Sequence, residues 1–209
     1  ATPEFSSTHQ NLIQQAGVEL ISCNAAELTS VSTLVSNSAA LAVVNIPEPP
    51  KLTVSSEDWV IALDNINDPG NLGSVLRIAD WYGISQVVCS PTTAELYNPK
   101  VIAASKGSFL RIKVSYQPLA DFLEQQAAQT PVLGAYLAGE SVHQLSPLPT
   151  GGVILLGSEA QGISPALATK VTRKITIPAF GAAESLNIGV AAAVICDNLA
   201  RLNAQQNDS

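Results

Sequence analysis

From Trp59 onward, short apolar, β-branched runs alternate with segments of helical periodicity, and that alternation constrains the architecture more than any other feature of the chain. The runs lie at 59–64, 86–90, 131–137, 152–156 and 174–177; the helical stretches lie at 72–82, 99–106, 119–129 and 188–203. A strand with one wet face carries a polar residue at every second position, whereas a run such as Val153-Ile154-Leu155-Leu156 is apolar throughout. Such runs predict an α/β domain whose parallel sheet is covered by helices on both faces. Ligands of such sheets gather at the carboxyl ends of the strands. With 46% hydrophobic and 13% charged residues, the chain has the material for a large core.

Upstream of Trp59 the pattern is weaker. Residues 1–47 read as a small polar-rich unit with a helix near 10–16 and a strand-like run at 41–46. Pro47, Pro49 and Pro50 then interrupt the chain, since proline fixes φ and donates no hydrogen bond. The expected division is a small unit over 1–47, a linker over 48–57, a main domain over 58–203 and a polar tail over 204–209. No apolar stretch reaches the roughly 18 residues of a membrane span, and the first ten residues lack the basic start and apolar middle of a secretory leader. A cytoplasmic location without membrane attachment is expected. Cys23, Cys89 and Cys196 form no CxxC pair and lie far in sequence from His9 and His143, so three free thiols and no metal site are expected.

The net charge of −7 argues against a protein that grips polyanions through its bulk charge. The distribution is uneven, however. No acid falls between Tyr97 and Ala120, where Lys100, Lys106, Arg111 and Lys113 cluster. These four are a candidate phosphate-contacting patch, and equally an ordinary solvated face.

Three clusters follow strand ends. In the first, Asn65, Asp68, Pro69, Gly70 and Asn71 make a turn, Asn71 is placed to cap a helix, and Arg77 lies about two turns into it. From the residues alone, a capped helix with a snorkelling arginine accounts for this segment better than a site does. The G-x-G-x-x-G of dinucleotide folds is missing. In the second, a buried strand exits at Gly157 into Ser158, Glu159 and Gly162. There Gly157 permits a close backbone approach by a ligand, and Glu159 can hold a sugar hydroxyl or cap a turn. In the third, a strand stops at Pro178, and a loop leads through Ser185, Leu186 and Asn187 into a helix of small residues. Ser185 or Asn187 can cap that helix, and free N–H groups at its start can bind an anion.

Taken together and in this order, the clusters resemble the three signature motifs of the SpoU (TrmH-like) RNA 2′-O-ribose methyltransferases, a family of the SPOUT superfamily. The first reads Asp68-Pro69-Gly70-Asn71-Leu72-Gly73 with Arg77, Ala79, Asp80 and Gly83; the second Leu156-Gly157-Ser158-Glu159 with Gly162; the third Ile177-Pro178, Gly181, Ser185-Leu186-Asn187 and Ala191. Ala104-Ser105-Lys106-Gly107-Ser108 resembles the family's stretch between the first two motifs. Ala160 stands where the family often has glycine, and Ala179 where methionine is common.

The resemblance covers about residues 58–203 and implies an α/β domain tied in a deep C-terminal trefoil knot whose loops hold S-adenosylmethionine. It implies backbone contacts to that cofactor from Gly157, Ile177 and Leu186, with Leu137 towards the adenine. Arg77 matches the family's essential arginine, either as a base, an awkward role for a guanidinium that stays protonated near neutrality, or as a phosphate clamp; the sequence does not choose between them. Asn71 and Glu159 would orient Arg77 and the substrate, and Ser185 and Asn187 would shape the pocket. Lys100, Lys106, Arg111 and Lys113 would carry RNA phosphate contacts beside the cofactor pocket. Residues 1–47 resemble the latter part of the family's N-terminal RNA-binding domain. The implied partners are ribosomal or transfer RNA and a second copy of the chain, docked through the small-residue helix at 188–203. A non-catalytic RNA-binding or ribosome-assembly module with the same fold is the competing reading.

Overall fold

A computed structural model describes residues 1–48, 52, 57–126, 129–146 and 149–207, with the side chains of 205–207 excepted. Most of the expected linker at 48–57, residues 127–128 of the expected helix at 119–129, and the end of the tail lie outside the described residues. The chain divides into two units, Ala1–Glu48 and Pro49–Ser209.

The first unit holds three short helices, α1 (Pro3–Thr8), α2 (Gln10–Ala16) and α3 (Ala25–Val31). Helix α3 starts with a capping box: Asn24 Oδ1 accepts from the Glu27 N–H at 3.0 Å, and the Glu27 carboxylate accepts from the Asn24 N–H at 2.8 Å. Within this unit Leu28 is a buried apolar residue, while Val43 is 91% exposed. The expected strand at 41–46 is absent. The segment is irregular, because its apolar residues find no neighbouring strand to complete a ladder.

The second unit is built on a sheet of β1 (Trp59–Asp64), β2 (Gln86–Cys89), β3 (Lys113–Tyr116), β4 (Val132–Ser141), β5 (Gly152–Gly157) and β6 (Arg173–Thr176). Among the described residues the strand order is β3-β2-β1-β5-β4-β6, with every pairing parallel. Strand β3 is missing from the sequence expectation, since its four residues Lys-Val-Ser-Tyr show no apolar run; it is held at the sheet edge by pairing with β2, Val87 opposite Val114. The helices are α4 (Pro69–Trp81), α5 (Pro99–Ser105), α6 (Leu119–Glu124), α7 (Pro165–Ala168) and α8 (Ile188–Asn207), with a 3-10 turn at Ser108–Leu110.

Alternate residues of the central strands serve opposite faces. Ile61, Leu63, Val87, Ile154 and Leu156 pack with Leu72, Val75 and Leu76 of α4 and Ile188, Ala192 and Ile195 of α8. Val60, Ala62, Val88, Val153 and Leu155 pack with Leu119, Phe122 and Leu123 of α6 and Leu167 of α7. Two covered faces are the reason the interiors of these strands are continuously apolar. Cys89 and Cys196 are buried free thiols within the first of these cores, and burial pushes the Cys196 thiol up to about 12. They act there as small apolar groups.

Candidate active site

Strands β1 and β5 lie side by side with Asp64 opposite Gly157, so the first and second clusters leave the sheet at the same end. The buried Asp64 carboxylate accepts from the Ser164 N–H at 2.7 Å, tying the end of β1 to the loop beyond β5. That loop turns back sharply: the Gly162 N–H donates to the Ser158 carbonyl at 2.8 Å, with Gly162 at φ +67°. The bare side of Gly157 faces this turn. A Cβ there would lie 2.1 Å from the Gly162 carbonyl carbon and 2.2 Å from the Ile163 nitrogen. The side of Gly157 that lacks a Cβ is thus filled by the chain's own backbone.

Helix α4 begins earlier than expected. Asp68 caps it, its carboxylate accepting from the Asn71 N–H at 2.8 Å, with Pro69 in the first helical position. Asn71 therefore does not cap, and its carboxamide is available for contacts outside the helix. Asn71 Nδ2 donates to Glu159 Oε1 at 3.2 Å, and Asn187 Nδ2 donates to Asn71 Oδ1 at 2.8 Å and to Glu159 Oε1 at 3.0 Å. Asn187 also caps α8, its Oδ1 accepting from the Gly189 N–H at 2.9 Å. The Ile188 N–H reaches Glu159 Oε1 at 3.3 Å, so a carboxylate sits at the positive end of α8. One residue from each cluster is thereby locked into a single hydrogen-bonded triangle.

Arg77 is not part of the triangle. It is exposed, makes no hydrogen bond or ion pair among the described residues, and lines a concave pocket of about 400 Å³ with Asp80, Trp81, Lys106, Ser108 and Arg111. Of the expected phosphate patch, Lys106 and Arg111 join this pocket. Lys100 and Lys113 do not line it; Lys113 starts β3 at the opposite end of the sheet from Glu159. Ser185 is exposed on the loop before α8, with no hydrogen bond among the described residues.

The pocket has internal order that spacing could not reveal, because Asp80 and Arg111 are 31 positions apart. Asp80 accepts from Arg111 Nε at 2.9 Å and from the Ser108 hydroxyl at 2.7 Å. The Arg111 guanidinium, with help from the Ser108 hydroxyl, holds the Asp80 carboxyl below its ordinary range. A carboxyl depressed in the fold contributes stability that is present above its ordinary value of 3.8 and is lost as pH falls through the lower folded value. Asp80→Asn is therefore expected to flatten the fall of the urea midpoint below about pH 3.8; an acid limb identical to that of the parent would refute this assignment.

The expected cofactor contacts lie around the third cluster. Ile177 is half-buried behind β6, while Leu137 and Leu186 are exposed, as is Phe180 in the intervening loop. Leu137 sits where β4 bulges away from β6, its carbonyl accepting from the Thr176 hydroxyl at 3.1 Å. No hydrogen bond among the described residues falls on the backbone of 178–186. Free backbone donors and acceptors next to exposed apolar side chains suit a purine nucleoside, whose rings need apolar contact and whose ring edge and ribose need hydrogen bonds.

The small residues of α8 face inward. A Cβ on Gly189 would come within 3.2 Å of the Ser74 side chain, and Ala192 is fully buried. Gly189 and Ala192 serve the packing of α8 on α4 within one chain, while Ala191 and Ala193 are half-buried.

An all-parallel sheet with helices on both faces, and with the Asn71–Glu159–Asn187 triangle at the carboxyl ends of its central strands, defines a protein of the α/β class. The model of the SpoU rRNA Methylase family matches residues 58–197, and the chain belongs to that family. It is 33% identical over 159 residues to the 23S rRNA (guanosine(2553)-2′-O)-methyltransferase RlmP of Bacillus subtilis, covering 76% of this chain and 63% of that protein. It is 28% identical to the 23S rRNA (guanosine-2′-O-)-methyltransferase RlmB of Neisseria meningitidis, over 78% of this chain and 63% of that one. Among solved structures, the SpoU methyltransferase AviRb from Streptomyces viridochromogenes, in complex with AdoMet, matches with a TM-score of 0.79 at 26% identity, over 92% of this chain and 77% of that chain. The chain spans 63% of the length of each of the two curated relatives.

Proposed function

We propose that the protein methylates a ribose 2′-hydroxyl of RNA, with S-adenosylmethionine as methyl donor. The curated relatives named above are 23S ribosomal RNA enzymes, and ribosomal RNA is the substrate proposed first, with transfer RNA as the alternative. The observation that carries the proposal is the triangle of Asn71, Glu159 and Asn187, which joins all three motifs at one end of the sheet.

S-adenosylmethionine supplies a methyl group on a sulfonium, already activated for displacement. The chain's own task is to bring a weakly acidic hydroxyl into line and to offset the charge that grows on its oxygen. Arg77 fits the second need as a phosphate clamp and charge stabiliser, because it stands free among further cations rather than against a carboxylate. Glu159 fixes Asn71 and Asn187, and through them the start of α4 and of α8, on which Arg77 and the cofactor loop depend. Ser185, free in that loop, is placed to bond the incoming nucleotide. Gly157, Ile177, Leu186 and Leu137 remain the proposed cofactor contacts, the first three through their backbone. Residues 1–47 are proposed as part of an RNA-binding unit, and the C-terminal segment as the thread of the family's knot. A homodimer, a cytoplasmic location and a reaction without a metal complete the reading.

The test is transfer of labelled methyl groups from S-adenosylmethionine to unmodified, in vitro transcribed bacterial 23S ribosomal RNA, with calorimetric titration of the cofactor alongside. The expected result is one cofactor site per chain and label recovered as a 2′-O-methylated nucleotide. Cofactor binding without transfer to ribosomal or transfer RNA would favour the assembly-module reading, and no cofactor binding would remove the enzymatic one.

A further inference from the structure

Trp81, the last residue of α4, is 82% exposed, whereas the chain's other tryptophan, Trp59, packs against the core. It follows Arg77 by four positions, so the two side chains share one face of the helix. Both line the same pocket as Lys106 and Arg111. The single acid there, Asp80, is already engaged by Arg111 and Ser108, which leaves Arg77 and Lys106 with their charges unanswered. Lys106 is exposed, its backbone at φ +51° and followed by Gly107 at φ +91°. In a chain of net charge −7, a cluster of cations around an open indole is a local departure from the whole.

A flat aromatic face bordered by guanidinium and ammonium groups is the chemistry that binds unpaired nucleic acid: the ring stacks on a base and the cations hold the adjoining phosphates. A second copy of the chain is a poorer occupant, because a two-fold contact centred here would set Arg77, Lys106 and Arg111 against themselves. Trp81 lies one helical turn, about 6 Å, beyond Arg77, so the base that it stacks adjoins the nucleotide whose ribose Arg77 serves.

We propose that Trp81 is a stacking platform for an unpaired base flanking the methylated nucleotide, with Arg77, Lys106 and Arg111 holding the intervening phosphates. This rests on the RNA-directed function above and adds a specificity element to it: the substrate must offer a single-stranded neighbour to the target.

The probe is single-stranded oligouridylate, titrated into the intact protein while tryptophan emission is followed, with an RNA duplex of equal length for comparison. Saturable quenching by the single strand is expected in the parent, and none in Trp81→Phe, whose emission comes from Trp59. Binding measured by anisotropy of labelled oligouridylate should weaken about 10-fold or more in Trp81→Ala and recover largely in Trp81→Phe. The salt dependence should keep its slope, since no charge is removed. On a methylated RNA substrate the loss in Trp81→Ala should fall on KM more than on kcat. Unchanged oligouridylate affinity in Trp81→Ala, unquenched emission at saturation, equal preference for the duplex, or a smaller particle by light scattering would each overturn the proposal. Failure of the parent to methylate any RNA, with Trp81-dependent quenching intact, would instead reject the enzymatic reading and leave the stacking platform standing.

Discussion

Arg77→Ala is expected to lower methyl transfer by about 100- to 1,000-fold, the usual cost of removing one preorganised charge stabiliser from a reacting oxygen, while S-adenosylmethionine binds as before. The two parts of the expectation have separate structural grounds. Arg77 contacts neither the triangle of Asn71, Glu159 and Asn187 nor the loop proposed to hold the cofactor, so its loss should not disturb that loop. It is exposed on the solvent side of α4, opposite the buried Leu72, Val75, Leu76 and Ala79, so truncation should leave the core intact. Arg77→Lys keeps the charge and loses the planar fork, and should recover only part of the rate. Single-turnover kinetics with saturating cofactor would measure the step directly. Turnover in Arg77→Ala equal to that of the parent would remove the arginine from the chemistry, and lost cofactor binding would reassign it to the fold.

Gly157→Ala should cost about 3 kcal/mol of stability and lower the melting temperature by about 6–12 °C. The new methyl would meet backbone rather than the far end of a side chain: the Gly162 carbonyl carbon at 2.1 Å and its oxygen at 2.3 Å. Relief requires moving the 158–164 turn, which is fixed by the Ser158–Gly162 bridge and by the bond from Ser164 to the buried Asp64. That turn carries Glu159, so the displaced carboxylate would release Asn71, Asn187 and the start of α8 together. Cofactor affinity and transfer should therefore fall with stability. Gly181→Ala is the matched control, since its Cβ would meet nothing within 4 Å; a change within about 0.5 kcal/mol is expected there. A Gly157→Ala protein that melts with the parent would show that the turn yields without cost.

Much of the second unit was legible before any coordinates. The interiors of the strands at 59–64, 86–90 and 152–156 are unbroken apolar runs, Val60–Leu63, Val87–Cys89 and Val153–Leu156, the pattern of a sheet covered on both faces. The polar residues following those strands marked the working end. Strand β3 was not legible, because one valine between polar neighbours carries no periodicity; its pairing with β2 makes it a strand. The run at 41–46 erred in the opposite direction, having strand composition but no partner. For α4 the segment offered two plausible caps, and local propensity could not choose between Asp68 and Asn71.

The class of fold, the family motifs and the interest of Asn71, Arg77, Glu159 and Asn187 follow from local composition and order along the chain. That three of these four residues interlock while Arg77 stands apart with Trp81, Lys106 and Arg111 follows from packing alone. So do the pairing of Asp80 with Arg111 and the filling of the bare face of Gly157 by the chain itself. Those facts depend on distances between segments as much as 116 positions apart, and long-range distances arise from packing the helices on the sheet, to which no local pattern of residues refers.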